Sequence, residues 1–340
     1  MIKKASLTPL MNMASGLDRG VCAYMAIQVF PGRPPAFYRS SPVSFVQSEG
    51  FNPRDAVNRQ FVYFSHFQDC LKGSADSVEI FVDAKGAVCI ESVDGPYHNL
   101  LHVHTVDEGH TGMKYHAIGD LEKEKLDPTA FAGLNINPIG VVQEPSISDG
   151  RLYLGTMAGL VKWQLPDSLL GVSRHPRISF LKFACGGKVN ILTISENGYW
   201  VAHRDGVVGG FLSHTQTGTI QQVFDVPSIV VAVINASRLM EVLRSALEAC
   251  KAANRVDIGP ERGVVCRDKM GHEAVYSIGE FPSGTWNQFS ISRNTAELIL
   301  NTLSQSTDKE IVLQTIVPTA GTAARRLTRG RYELDFRVVQ

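Results

Sequence analysis

The stretch GKVNILTISENGYWVAHRDG, Gly187 to Gly206, decides the fold. Two runs rich in β-branched and aromatic residues flank Glu196-Asn197-Gly198, and Asn-Gly between apolar runs is the strongest short-range signal for a β-hairpin. Immediately ahead lies RISFLKFACGG (177–187), where Ile178, Leu181, Ala184 and Cys185 recur at helical spacing and the two glycines mark the stop. The unit is a helix followed by a hairpin.

The same order returns twice. In FVYFSHFQDCLKGSADSVEIFVDAKGAVCIES (61–92), Phe64, Phe67, Cys70 and Leu71 form the helix stripe, Gly73 ends it, and Lys85-Gly86 turns two strands. In SRNTAELILNTLSQSTDKEIVLQTIV (292–317), Leu298, Ile299, Thr302 and Leu303 form the stripe, Ile311 to Val317 reads as a strand, and GRYELDFRVV (330–339) as its returning partner. The copies begin near residues 62, 177 and 293, a period of roughly 115 residues that is too long for a solenoid and fits repeated domains.

Each copy has a candidate first half. LTPLMNMASGL (7–17) precedes strands around 21–30 and 43–47; DPTAFAGLNINPIGVV (127–142) precedes RLYLGTMAGLVKWQL (151–165); NASRLMEVLRSALEACKA (235–252) precedes GVVCRDKMGHEAVYSI (263–278). The last helix is the clearest: Leu239, Val242, Leu243, Ala246, Leu247 and Cys250 make an apolar face opposite Glu241, Arg244, Glu248 and Lys251, with Asn235 or Ser237 as its cap. The expected class is α+β, with three tandem domains at 1–110, 111–222 and 223–340, each an internally duplicated helix-plus-sheet unit. The boundaries fall near the polar or Gly- and Pro-bearing segments 107–114 and 218–227.

Composition agrees with such an architecture. The 340 residues are 44% hydrophobic and 19% charged, and no apolar run reaches the roughly 18 residues that span a bilayer. MIKKASLTPLMNMASG, broken by Pro9, does not read as a secretory signal, and six scattered cysteines (22, 70, 89, 185, 250, 266) fit a reducing cytoplasm. Thirty-three basic residues balance thirty-three acidic ones, so any nucleic-acid contact rests on local arrangement.

Three tandem copies of a twice-repeated helix-plus-sheet unit resemble the bacterial-type DNA polymerase sliding clamp, the β subunit of the replicative polymerase. The resemblance covers nearly the whole chain in order and spacing. Its best local match is YLGTMAGLVKW (153–163), where the family's middle domain carries a strand reading Thr-Asp-Gly-His-Arg-Leu-Ala. Thr156 is retained, Ala158, Gly159, Leu160 and Val161 occupy the later positions, and the family's charged and imidazole groups are missing. The closing RVVQ (337–340) matches the place of the family's apolar C-terminal tail, whereas the neutral overall charge departs from a family that tends to be acidic.

The resemblance, with its drifted motifs, implies a non-enzymatic, phage-borne processivity factor in the cytoplasm. It forms a homodimer whose six domains make half and half of a ring around duplex DNA, and its partners are a DNA polymerase and a clamp loader. A ring held by topology needs only weak, sequence-independent phosphate contacts, because tight base contacts stop sliding. The implied DNA-facing residues are Lys72 and Lys182, then Arg177, Arg238, Arg244, Lys251 and Arg293; the implied peptide groove is Thr156, Gly159, Leu160, Val161, Pro227, Val338 and Val339, with Ile139 more loosely placed. No cofactor, metal or catalytic residue is expected. Gly-x-x-x-x-Gly-Lys-Ser/Thr and Gly-x-Ser-x-Gly are both absent.

Two other readings compete. HNLLHVHTV (98–106) brings His98, His102 and His104 together, with His110 and His116 beyond, and on one strand His102 and His104 share a face, so a metal-binding enzyme is conceivable although no neighbouring Cys or carboxylate completes a set. Metal analysis separates this from the clamp. The second is an interaction protein built from clamp domains that closes no ring, and solution mass separates that one. Phe61, Tyr63, Phe64 and Phe67 also cluster, but Phe64 and Phe67 lie on the helix stripe and read as core.

Overall fold

The computed structural model describes residues 2–15, 17, 22–94, 97–116, 124–136, 140–172, 174–214, 226–279, 286–317 and 323–339. Ile139, Gln340 and the expected boundary at 222/223 fall outside them. The chain divides into two compact units, Met1–Thr129 with Ser179–Ser213, and Ala130–Ile178 with His214–Gln340.

The first unit contains the helices α1 (Lys4–Ser15) and α2 (Phe64–Lys72) and, from Ser179 on, α3 (Ile178–Cys185). Its strands are β1 (Ile2–Lys3), β2 (Tyr24–Gln28), β3 (Ala36–Ser40), β4 (Ser44–Ser48), β5 (Arg59–Tyr63), β6 (Ser77–Val82), β7 (Val88–Asp94), β8 (Tyr97–Val103), β9 (Thr105–Val106), β10 (Glu124–Leu126), and the strands after α3. Those are β14 (Val189–Ile194), β15 (Tyr199–Arg204) and β16 (Val207–Leu212), numbered after β11 (Ser146–Ser148), β12 (Arg151–Gly155) and β13 (Leu160–Gln164) of the second unit. The decisive hairpin forms as its sequence dictates: Ser195 and Tyr199 close the turn, with Gly198 at φ +86° where a side chain is disfavoured.

The second unit continues with β17 (Ser228–Asn235), α4 (Ala236–Ala249), β18 (Arg255–Gly259), β19 (Gly263–Arg267), β20 (Glu273–Tyr276), β21 (Phe289–Ser292), α5 (Arg293–Leu303), β22 (Glu310–Ile316), β23 (Ala324–Arg329) and β24 (Tyr332–Arg337). All six residues expected on the apolar face of α4 are buried, its four expected polar residues are exposed, and Asn235 caps it by accepting from the Arg238 amide at 3.0 Å. Burying each such Leu or Val contributes roughly 1.5–3 kcal/mol, which is what fixes the helix to its sheet.

Strand pairing exposes the duplication. The strand that opens each module joins the sheet of its sister module: β1 pairs with β6, β10 with β14 and β17 with β22, while β5 pairs with β2 and β21 with β18. After each of the five described α-helices comes a three-stranded meander. The third strands then join modules that are far apart in sequence, β4 with β16 and β13 with β24, both antiparallel. This produces a nine-stranded sheet (β10-β14-β15-β16-β4-β3-β2-β5-β9) and a seven-stranded one (β11-β12-β13-β24-β23-β22-β17). Two four-stranded sheets remain, β1-β6-β7-β8 and β20-β19-β18-β21, each ending on a third strand, β8 or β20, that has no second neighbour among the described residues.

Two expectations are corrected. Residues 127–136 form turns, not a helix. Asp127 Oδ1 accepts from both the amide and the hydroxyl of Thr129, Gly133 adopts φ +83°, and the carbonyls a helix needs are taken by side chains: Trp163 Nε1 and Arg331 Nη2 donate to Ala130 O, and Tyr332 Oη to Gly133 O. Ala130, Phe131, Leu134 and Ile136 are still buried, so the segment fills the helix's place in the core. Also, the 330–339 segment is not the partner of β22, because β23 lies between them and β24 bonds to β23 and β13.

Candidate nucleic-acid interface and partner groove

The basic candidates divide by what their charges already hold. Lys182 on α3, Arg244 on α4 and Lys251 just beyond it are exposed and make no ion pair among the described residues. Lys72, the last residue of α2, meets only Asp69 at 3.3 Å, and both side chains are mostly in water, so that pair is worth little. Arg238 is engaged by Glu241 (3.1 Å) and the Ser277 carbonyl (3.2 Å). Arg177 faces Glu144 at 3.7 Å, and the other oxygen of Glu144 accepts from the first amide of α3 at 2.9 Å.

Arg293 is engaged within the fold. Its guanidinium donates to the carbonyls of Cys250 and Lys251 (both 3.0 Å) and Leu247 (3.3 Å), and to Glu297 Oε1 (2.9 Å), so it closes the C-terminus of α4. A helix leaves its last four carbonyls unpaired and carries partial negative charge there, and a planar fork of donors satisfies both demands. A cation from elsewhere in the chain meets the C-terminal end of each of the other described α-helices. Arg39 donates to Ala14 O at the end of α1, Arg204 to Phe183 O (2.6 Å) in α3 and Arg329 to Leu303 O (2.6 Å) in α5, while at α2 the Lys4 ammonium reaches Lys72 O (3.5 Å) and Ser74 O (2.7 Å) just beyond it. Burial pulls the Arg39 guanidinium down to about 10. Sequence reading missed all five, since each donor lies 21 to 70 residues from its acceptor.

The groove candidates cluster in part. Thr156 to Gly159 form the β12–β13 turn, in which Thr156 Oγ1 accepts from the amides of Ala158 (3.2 Å) and Gly159 (3.0 Å), and Thr295 of α5 holds the turn through Ala158 O (3.2 Å). Gly159 is small because of the fold: a Cβ there would lie 2.6 Å from Asp335 O. Leu160 is half-buried and pairs with Asp335, but Val161 is corrected to core, since strand parity turns it to the opposite face, where it is 0% exposed. Val338 is half-buried, and Val339 is exposed and bridges to Ser290. Pro227 is exposed at the other edge of the seven-stranded sheet, its carbonyl accepting from Val317. Beside it stand Ile229, Val230 and Val317, at 62%, 59% and 44% exposure, exposed apolar side chains at edge strand β17 that the sequence reading did not single out; the register puts Val230 on the face of Gln314 and Arg326 and Ile229 on the opposite one.

Between these edges the same sheet face carries a buried ionic network. Lys162 Nζ, 1% exposed, lies 2.5 Å from Glu333 and 2.9 Å from Asp335, and Arg326 binds Asp335 through both oxygens (2.7 and 2.9 Å) and reaches Ser228 Oγ at 3.2 Å. Two cations and two anions cancel, which is the condition for holding charge out of water.

The histidines do not form the set first considered. β8 ends at Val103, so His104 leaves the strand and lines a shallow cleft with Tyr24, Tyr63 and His110, while His98 is held by Glu91 and His116 stacks on Phe45 and Tyr199, both with ring centroids at 5.0 Å. His102 instead meets Cys89 and Asp83, the only such cluster among the described residues, and a thiol and carboxylate that sequence spacing did not connect.

No family model matches the chain, and no curated protein matches its sequence. Solved structures do. The β sliding clamp of Caulobacter crescentus superimposes with a TM-score of 0.67 at 10% identity, over 100% of this chain and 98% of that one. The β clamp of Helicobacter pylori bound to a DNA ligase peptide gives 0.65 at 10% identity (100% and 99%), and the DNA polymerase sliding clamp of Bacillus subtilis 0.65 at 12% (100% and 98%). The chain therefore has the three-domain β sliding clamp fold, end to end, and at these identities the likeness is one of fold.

Proposed function

We propose that the chain is a DNA polymerase processivity factor, with domains at 1–110, 111–222 and 223–340, two copies of which close head to tail around duplex DNA. The observation that carries the reading is the pair of vacant third strands. Within the chain, third strands always join a first-half module to a second-half module, β4 to β16 and β13 to β24. β20 belongs to a first half and β8 to a second half, so the same rule pairs β8 of one copy with β20 of another, twice in a symmetric dimer. Both edges are also unguarded: Tyr97 (71%) and Leu100 (44%) on β8 and Val275 (49%) on β20 expose apolar side chains on strands that proteins otherwise protect.

In such a ring Lys182, Arg244, Lys251 and Lys72 face the phosphates, with Arg177 and Arg238 as lesser contributors. So few contacts hold the duplex loosely enough to slide. A peptide segment of the polymerase or the clamp loader docks on the β12–β13 turn, Leu160, Val338 and Val339, and on the exposed apolar edge at Pro227, Ile229 and Val230. The factor performs no chemistry of its own and works in the cytoplasm.

Solution mass tests the assembly. Twice the 37.2 kDa chain, a particle of about 74 kDa, is expected, and Leu100→Pro in β8 is expected to give monomers because proline removes a ladder donor. A wild-type monomer at micromolar concentration sinks the ring.

A further inference from the structure

We propose that Asp83, Cys89 and His102 form a binding site for a divalent cation of the zinc class on the outer face of the β6-β7-β8 sheet. Cys89 and His102 stand directly opposite each other in the β7–β8 register, so strand parity alone sends both side chains to one face. The Cys89 sulfur lies 3.3 Å from His102 Nδ1, which lies 3.8 Å from Asp83 Oδ2, and the three ligand atoms fall within 4.8 Å of one another. Metal–ligand bonds of about 2.0–2.3 Å at tetrahedral angles place ligand atoms roughly 3.3–3.6 Å apart, so about an ångström of contraction completes the site.

The third ligand is already fixed. Asp83 closes the β6–β7 turn, its Oδ1 accepting from the amides of Lys85 (2.8 Å) and Ala87 (2.9 Å), which leaves Oδ2 turned to the imidazole. Access is open from one side: the His102 side chain is 58% exposed and that of Asp83 23%, above a buried Cys89.

The donor set selects the cation. Thiolate with imidazole suits zinc or cobalt and excludes magnesium and calcium, and three protein ligands leave a fourth position for water. Binding forms the metal–sulfur bond as the S–H bond of Cys89 breaks and its proton passes to solvent. Glu91, on the same face and paired with His98, adds negative charge nearby, whereas Lys85 beside Asp83 opposes the cation.

Titration of the full chain with Co²⁺, then displacement by Zn²⁺, tests the site. One Co²⁺ per chain is expected, with thiolate-to-cobalt charge-transfer absorption and release of about one proton. His102→Gln, a change at an exposed side chain, is expected to weaken binding at least tenfold; Cys89→Ser removes the charge-transfer band, and His104→Gln alters nothing. Binding without the band, or with equal affinity in His102→Gln, belongs to surface histidines elsewhere and overturns the proposal, as does no binding at all.

Discussion

Truncating Arg293 to alanine separates structure from DNA contact at the residue where the two readings diverge most. Its side chain, 26% exposed, makes three bonds to the last carbonyls of α4 and one to Glu297. A charge-assisted hydrogen bond contributes about 1.5–3 kcal/mol net, and a cation at a helix C-terminus about 0.3–1 kcal/mol more. Water replaces part of this at a site one quarter exposed, so Arg293→Ala is expected to cost about 2–3 kcal/mol. At roughly 2–4 °C per kcal/mol for a domain-sized cooperative unit, that is a fall in Tm of about 4–12 °C. Arg293→Lys recovers less than half, since one ammonium cannot span three carbonyls. Thermal unfolding read at both far- and near-ultraviolet wavelengths provides the number, and retention on DNA circles at a permissive temperature is expected to be unchanged. Wild-type stability combined with lost retention would refute the reasoning and return Arg293 to the DNA-facing set.

The other predictions concern separate regions. Lys162→Met leaves two buried carboxylates, Glu333 and Asp335, sharing Arg326 as their one remaining cation, and is expected to cost about 3–5 kcal/mol by urea unfolding, far more than an exposed lysine such as Lys182. His116 is depressed by burial, so the unfolded chain binds its proton more readily: the stability it supports is full above about pH 6.5 and declines as pH falls through that value, and His116→Phe flattens the pH profile between about 7 and 5. Ile229→Ser with Val230→Ser is expected to leave stability within about 0.5 kcal/mol, as both are exposed, and to abolish capture of a partner peptide by fluorescence anisotropy.

How much of this was legible in the sequence follows from the range of each interaction. The hairpin at 187–206 and the helices α2 to α5 were plain because their signals, a turn dipeptide and a 3.6-residue period, are local. The turn segment at 127–136 misled for the converse reason: its apolar residues are core, but side chains from Trp163, Arg331 and Tyr332 claim the carbonyls a helix needs. β23 was missed within 318–329, so β22 was matched to the wrong strand. Among the site residues, Leu160 and Val161 look alike in the sequence, and only the register against β24 shows that one is half-exposed and the other core. Arg244 and Arg293 are equally alike by letter; one is exposed on its helix and the other spent on a helix end. The polar face formed by Arg326, Glu333 and Asp335 was not read in the sequence, because pairing it with Lys162 required the β13–β24 contact.

The most direct measurement compares protein loaded onto a nicked circular plasmid with the same complex after a single restriction cut, separated by gel filtration at about 0.2 M salt, where weak phosphate contacts dissociate. A closed ring stays with the circle and slides off the linear product. Equal retention on both, or on neither after loading, contradicts a topological link and with it the processivity role.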